Sequence, residues 1–190
     1  MEPLFTEDWF SGNIGTWSQI LREFRGNPVR ALEIGSFQGR STRWLLEDIL
    51  THPDSRITCV DTFKGSVEHS AHHIRNMREL FEHNIQPFAE KVDILEGNSQ
   101  VVLRTHAGAY DFAYVDGDHR AFAVLEDTIH AFRLLKYGGI LIFDDYLWLG
   151  GKRPIDNPRP AIDAFMALNA DRFVLLHSDY QVILRKIVHE

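Results

Sequence analysis

Four side chains in the second half of the chain could do chemistry together: Asp116, His119, Asp144 and Asp145. Asp116 closes one apolar run, YDFAYVD, and the aspartate pair closes another, GGILIFDDY, after a glycine break at Gly138 and Gly139. As adjacent strands of an open parallel sheet, the two runs deliver their carboxyl ends to the same rim. Clustered carboxylates raise one another's pKa unless a cation neutralises them. The set therefore implies a hard divalent cation with oxygen ligands, Mg2+ first and Mn2+ second. The plainer alternative has Asp116 touching a cofactor or substrate directly while Asp144 and Asp145 cap a loop. His119 can take a hydroxyl proton near neutral pH as a general base, or it merely packs or caps a helix start.

A second set lies in Arg30 to Leu46, RALEIGSFQGRSTRWLL. A short strand runs into a turn from Gly35 to Gly39, and a helix pattern of Thr42, Leu45, Leu46 and Ile49 follows at once. Such a helix start aims unpaired N–H groups and a positive dipole end at whatever sits above it, and glycines let a ligand approach the backbone. The spacing is neither GxGxxG nor a P-loop. Glu33 is an odd choice for an apolar strand unless it faces polar ligand atoms. Asp61, at the end of RITCVDTF, stands where an acid can bond both hydroxyls of a ribose, although a turn cap is the other reading.

The glycine turn resembles motif I of class I methyltransferases dependent on S-adenosylmethionine (SAM), and later segments extend the likeness over most of the chain. GNSQ, from Gly97 to Gln100, resembles the turn that lines the adenine in catechol O-methyltransferase-like enzymes. Asp116, Asp144 and Asp145 match those enzymes' metal positions, except that their last position is asparagine; aspartate there resembles antibiotic and sugar O-methyltransferases. The catechol enzyme has a lysine base at the offset of His119, and the antibiotic enzymes a histidine. By this resemblance the cofactor would be held by Glu33, Gly35, Ser36, Gly39, Ser41, Asp61, Asn98, Ser99 and Asp116, with Ser41 on the methionine carboxylate. The implied activity is cation-assisted methylation of a hydroxyl on a small molecule. Two rivals stay open: a metal-independent N- or C-methyltransferase, and a SAM-binding sensor or partner protein without catalysis.

These residues need a sheet with helices around it. The resemblance implies a Rossmann-like, doubly wound α/β fold with helices on both faces. Its seven-stranded mixed sheet would run 3-2-1-4-5-7-6 with strand 7 antiparallel, closed by a hairpin of residues 172–177 and 181–188. At 190 residues and 44% apolar content, a single domain is expected over 1–190. Residues 1–27 would form a helical cap and 28–190 the SAM-binding core. Trp9, Phe10 and Trp17 in the cap either cover the pocket or pack a helix onto the sheet. Ile74, Met77, Phe81 and Ile85 predict one core stripe; Phe122, Leu125, Ile129 and Phe132 predict another; Ile162, Phe165, Met166 and Leu168 predict a third. His69, His72 and His73 have spacing that could hold a metal, but they read more simply as a solvated face. The loop from Leu147 to Pro160, with Trp148, is the natural place for selectivity.

A net charge of -7 argues against nucleic acid as main partner. The single cysteine, Cys59, and the start MEPLFTEDWF, which lacks the flank and apolar core of a signal peptide, fit the cytoplasm. No run approaches membrane-spanning length. Self-association stays open.

Overall fold

The computed structural model describes residues 2–65 and 74–189; His69, His72 and His73 lie outside them. Seven strands form: β1 (Arg30–Ile34), β2 (Arg56–Asp61), β3 (Val92–Glu96), β4 (Tyr110–Val115), β5 (Leu135–Phe143), β6 (Phe173–Ser178) and β7 (Val182–Lys186). They make one sheet of order β3-β2-β1-β4-β5-β7-β6. β1 to β5 run parallel, and β7 pairs antiparallel with both β5 and β6. The glycine break does not precede β5, which begins at Leu135. The strand runs through Gly138 and Gly139, and the register against β4 slips between Tyr110 and Phe112.

The α-helices among the described residues are α1 (Ile14–Ile20), α2 (Arg40–Asp48), α3 (Met77–Ile85), α4 (Ser99–Val102), α5 (Ala121–Leu134) and α6 (Arg159–Leu168). One face of the sheet packs on a cluster that includes Trp17, Leu45, Leu46, Met77 and Phe81. The other packs on a cluster that includes Val124, Ala131, Phe132, Ile162 and Phe165. Strand residues buried on both faces are what a parallel sheet covered by helices requires.

One of the expected stripes is rotated from the sequence reading, and another departs from it only at its last residue. On α5, Phe122 and Ile129 are exposed, at 78% and 54%. The buried face is instead Ala123, Val124, Asp127, Thr128, Ala131 and Phe132. Ala123 and Ala131 on that face let the helix lie close to the sheet. Leu168, in the last turn of α6, is 80% exposed while Ile162 and Phe165 are buried.

The strand ends are tied into one rim by backbone bonds across the sheet. Gly35 donates to Val60, Gly97 to Asp61, Asp116 to Ile34 and Asp144 to Val115. Gly35 has φ of 85°, and a Cβ there would meet the Asp116 carbonyl oxygen at 1.9 Å. Only glycine brings the β1 and β4 ends together this closely.

Candidate active site

A cleft of about 910 Å3 opens over that rim. On one side lies the glycine turn. Gly39 takes φ of 78° and caps the start of α2, and a Cβ there would collide with the Phe81 ring. Glu33 is fully buried beneath the turn, accepting hydrogen bonds from the hydroxyls of Ser41 (2.6 Å) and Thr42. Burial pushes its carboxyl up, and those hydroxyl bonds pull against it. Gly35, Ser36 and Ser41 line the cleft, whereas Glu33 lies beneath it and bears on it through Ser41. Asp61 also lines the cleft, and both its oxygens already hold backbone. Oδ2 accepts from Ser36 (2.7 Å) and Phe37 (2.9 Å), and Oδ1 accepts from Phe63 (2.7 Å). Oδ1 keeps a further lone pair for a ligand, whereas both of those on Oδ2 are used. Asn98 and Ser99 line the end near β3.

The acid side is built differently. Asp116, His119 and Asp145 each offer one donor atom within 4.8 Å of the others. The His119 Nε2 lies 2.7 Å from Asp145 Oδ2, and the ring tilts against Trp148 with centroids 4.6 Å apart. Asp145 has φ of 58°, a left-handed conformation that non-glycine residues keep only where the surroundings enforce it. Its Oδ1 accepts from the Tyr180 hydroxyl at 2.8 Å. Asp144 stands apart from this triad. It is 9% exposed, with Oδ1 accepting the Asp145 N–H (2.8 Å) and Oδ2 turned to the Tyr114 hydroxyl.

Tyr114 also lies 2.8 Å from Asp116 Oδ2. Burial and the two acids push its phenol well up, so it stays a donor with one proton for two carboxylates. The other carboxylate needs a second proton or a cation. Burial pushes Asp144 up to about 6, with Asp145 adding, and pushes Asp116 well up, with Asp144 and Asp145 adding. Two carboxylates and an imidazole, converging where negative charge is uncompensated, could hold a metal ion.

Tyr114 and Tyr180 are site residues that the sequence reading missed. Tyr114 had a signal: at two residues before Asp116 in a strand it shares that residue's face. Tyr180 had none, since its reach depends on how the β6–β7 turn folds over Asp145. The N-terminal aromatics divide between the two expected roles. Trp17 is fully buried, edge-on to Tyr114 at 4.8 Å, with its Nε1 donating to Gln181 (2.7 Å). Trp9 and Phe10 line the cleft, Trp9 stacking on Phe37 at 5.1 Å. The segment before them is laced to the turn: Asn84 Nδ2 donates to the carbonyls of Leu4 and Gln38, and Asp8 pairs with Arg40 at 3.3 Å.

Comparison with known proteins bears on the family and the fold. Residues 32–146 match the family model described as a methyltransferase domain. A caffeoyl-CoA O-methyltransferase of Populus kitakamiensis is 27% identical over 130 residues, 65% of this chain and 49% of the relative. The chain spans about half the length of the curated relatives it matches. Among solved structures, the O-methyltransferase NovP superposes with a TM-score of 0.71 at 20% identity, over 93% of this chain and 80% of the other. TomG of Streptomyces achromogenes, an O-methyltransferase of tomaymycin synthesis solved with SAM, gives 0.68 at 16% identity over 95% and 82%. More than half of the chain lies within the matched model, over the strands and turns that build the cleft, and the chain belongs to the methyltransferase domain family.

Proposed function

We propose that this protein transfers the methyl group of SAM to a hydroxyl oxygen of a small molecule, with a divalent cation, Mg2+ before Mn2+, at the acid cluster. The observation that carries the reading is one cleft holding a glycine turn at one end and Asp116, His119 and Asp145 at the other. Gly35, Ser36, Gly39 and Ser41 would hold the amino-acid end of SAM with Glu33 beneath them, Asp61 the ribose, and Asn98 and Ser99 the adenine. Asp116 and Asp145 would hold the cation, backed by Asp144 through Tyr114. When bound, the cation would steady the acceptor oxygen and lower its pKa.

In the transfer, the methyl carbon leaves sulfur as the acceptor oxygen bonds to it, and the hydroxyl proton passes to His119. Nδ1 of that ring is buried, so Nε2 is the atom that would meet the proton, and it can do so only once its 2.7 Å contact with Asp145 Oδ2 is released. Orientation along one line supplies most of the rate, and the base roughly 10² to 10⁴. Similarity to O-methyltransferases supports oxygen as acceptor. The buried free thiol of Cys59 fits a reducing cytoplasm. No helix among the described residues is long and apolar enough to cross a membrane.

A second reading follows from the 2.7 Å contact of His119 Nε2 with Asp145: the carboxylate steadies the imidazolium that forms when the ring takes the proton, without a cation. Labelled-methyl transfer across a panel of hydroxylated small molecules, with Mg2+ and with chelator, separates the two. Turnover lost on chelation and restored by Mg2+ is the expected result. Turnover unchanged by chelation supports the second reading, and SAM binding without turnover on any acceptor overturns both.

A further inference from the structure

Behind the adenine end of the cleft, on the sheet-facing side of α5, lies a carboxylate that the reaction above does not use. Asp127 is fully buried. Its Oδ1 accepts from the Gln100 side-chain Nε2 at 2.9 Å, and the same Nε2 lies 2.9 Å from the Ser99 hydroxyl oxygen. Among the described residues its Oδ2 has no hydrogen-bond partner. That oxygen packs on Gly117, where a Cβ would come within 3.3 Å of it. Gln100, Ser99 and Gly117 all line the cleft, and Asp127 does not.

A buried ionisable side chain with a free oxygen costs stability, and a leucine would fill the helix face without that cost. What Asp127 does in return is join two turns, 97–100 after β3 and 116–117 after β4, at the point where both meet the ligand. We propose that Asp127 is a positioning residue for the adenine end of the cleft, holding the Gln100 amide and with it the Ser99 turn in the orientation a bound cofactor meets. The proposal rests on the SAM reading above and adds to it a residue outside the cleft. The surroundings agree. Burial pushes the Asp127 carboxyl up to about 6, Ser99 and Gln100 pull it down, and Glu126 and Asp118 add to the rise. The group thus sits in a polar pocket aimed at the turn rather than in solvent.

The test is a calorimetric titration of S-adenosylhomocysteine into four proteins: wild type, Asp127→Asn, Gln100→Glu, and the double variant. Asp127→Asn keeps an acceptor for Gln100 and should bind within about threefold of wild type. Gln100→Glu sets a carboxylate against Asp127 and should bind roughly tenfold more weakly or worse. In the double variant the asparagine amide donates to the new carboxylate, so affinity should return to within about threefold of wild type. A Mg2+ titration of the same four proteins should stay level, which general damage to the fold would not allow. Gln100→Glu and the double variant binding alike, or all four proteins binding alike, would overturn the positioning role alone. Wild type failing to bind S-adenosylhomocysteine would overturn the SAM reading, and this inference with it.

Discussion

The two ends of the cleft are held together by different means. At the glycine turn, bonds within the protein are already made: Glu33 has the Ser41 and Thr42 hydroxyls, and Asp61 has three backbone N–H groups. At the acid cluster the accounts do not close, since one Tyr114 proton faces two carboxylates and burial raises both Asp116 and Asp144. A site complete in itself is a preformed receptor, whereas one carrying uncompensated negative charge gains stability from a cation. The difference teaches that the first end should bind ligand without help and the second should depend on metal.

The largest expected effect breaks the acid end alone. His119→Ala should cut turnover by roughly 10² to 10⁴ while S-adenosylhomocysteine affinity stays within a few-fold, as steady-state kinetics and calorimetry would show. A parallel loss of cofactor binding would mean that the two ends are not separable. Breaking the other end should act on folding first. Glu33→Ala leaves a cavity and two unpaired buried hydroxyls, which should cost about 3 kcal/mol. For a domain of this size the melting point should fall by roughly 6 to 12 °C.

A titration sharpens the contrast from outside both ends. The Asp127 carboxyl lies at about 6 in the folded protein against an ordinary 3.8. A raised carboxyl favours the folded state below the unfolded pKa, and that stability is lost as pH rises through the folded pKa. Asp127→Asn should therefore be more stable than wild type at pH 7.5, by up to about 3 kcal/mol. The gain should vanish near pH 4 in denaturant melts. The smallest effect is at the lining. Trp9 is 56% exposed and stacks on Phe37. Trp9→Ala should change stability by less than about 1 kcal/mol and shift the acceptor KM by a few-fold in kinetic assays.

Most of the fold was legible because strand ends carry their own signals. Apolar runs that stop at Gly35, Asp61, Gly97, Asp116 and Asp144 mark one rim whatever the helices do. The helices were harder. Phe122 and Ile129 made a stripe as regular as that of Val124, Asp127 and Ala131, and periodicity cannot choose between adjacent stripes when closeness to the sheet decides. At the site, residue types were legible and their orientations were not. Asp144 and Asp145 are neighbours in sequence, but the left-handed turn at Asp145 sends one carboxylate to His119 and Tyr180 and leaves the other facing Tyr114. Glu33 read as a ligand-facing group, and in the fold it stands under the turn, because burial without partners is costly and two helix hydroxyls lie within reach.

The most direct test is calorimetry of S-adenosylhomocysteine on cation-free protein, followed by Mg2+ added to the complex. The expected result is cofactor binding without metal, then a separate Mg2+ event that Asp116→Ala abolishes. At 100 times its dissociation constant the metal should stabilise the complex by about 2.7 kcal/mol. Cofactor binding that appears only after Mg2+, or Mg2+ binding that survives Asp116→Ala, would contradict a preformed turn beside a cation-dependent acid cluster.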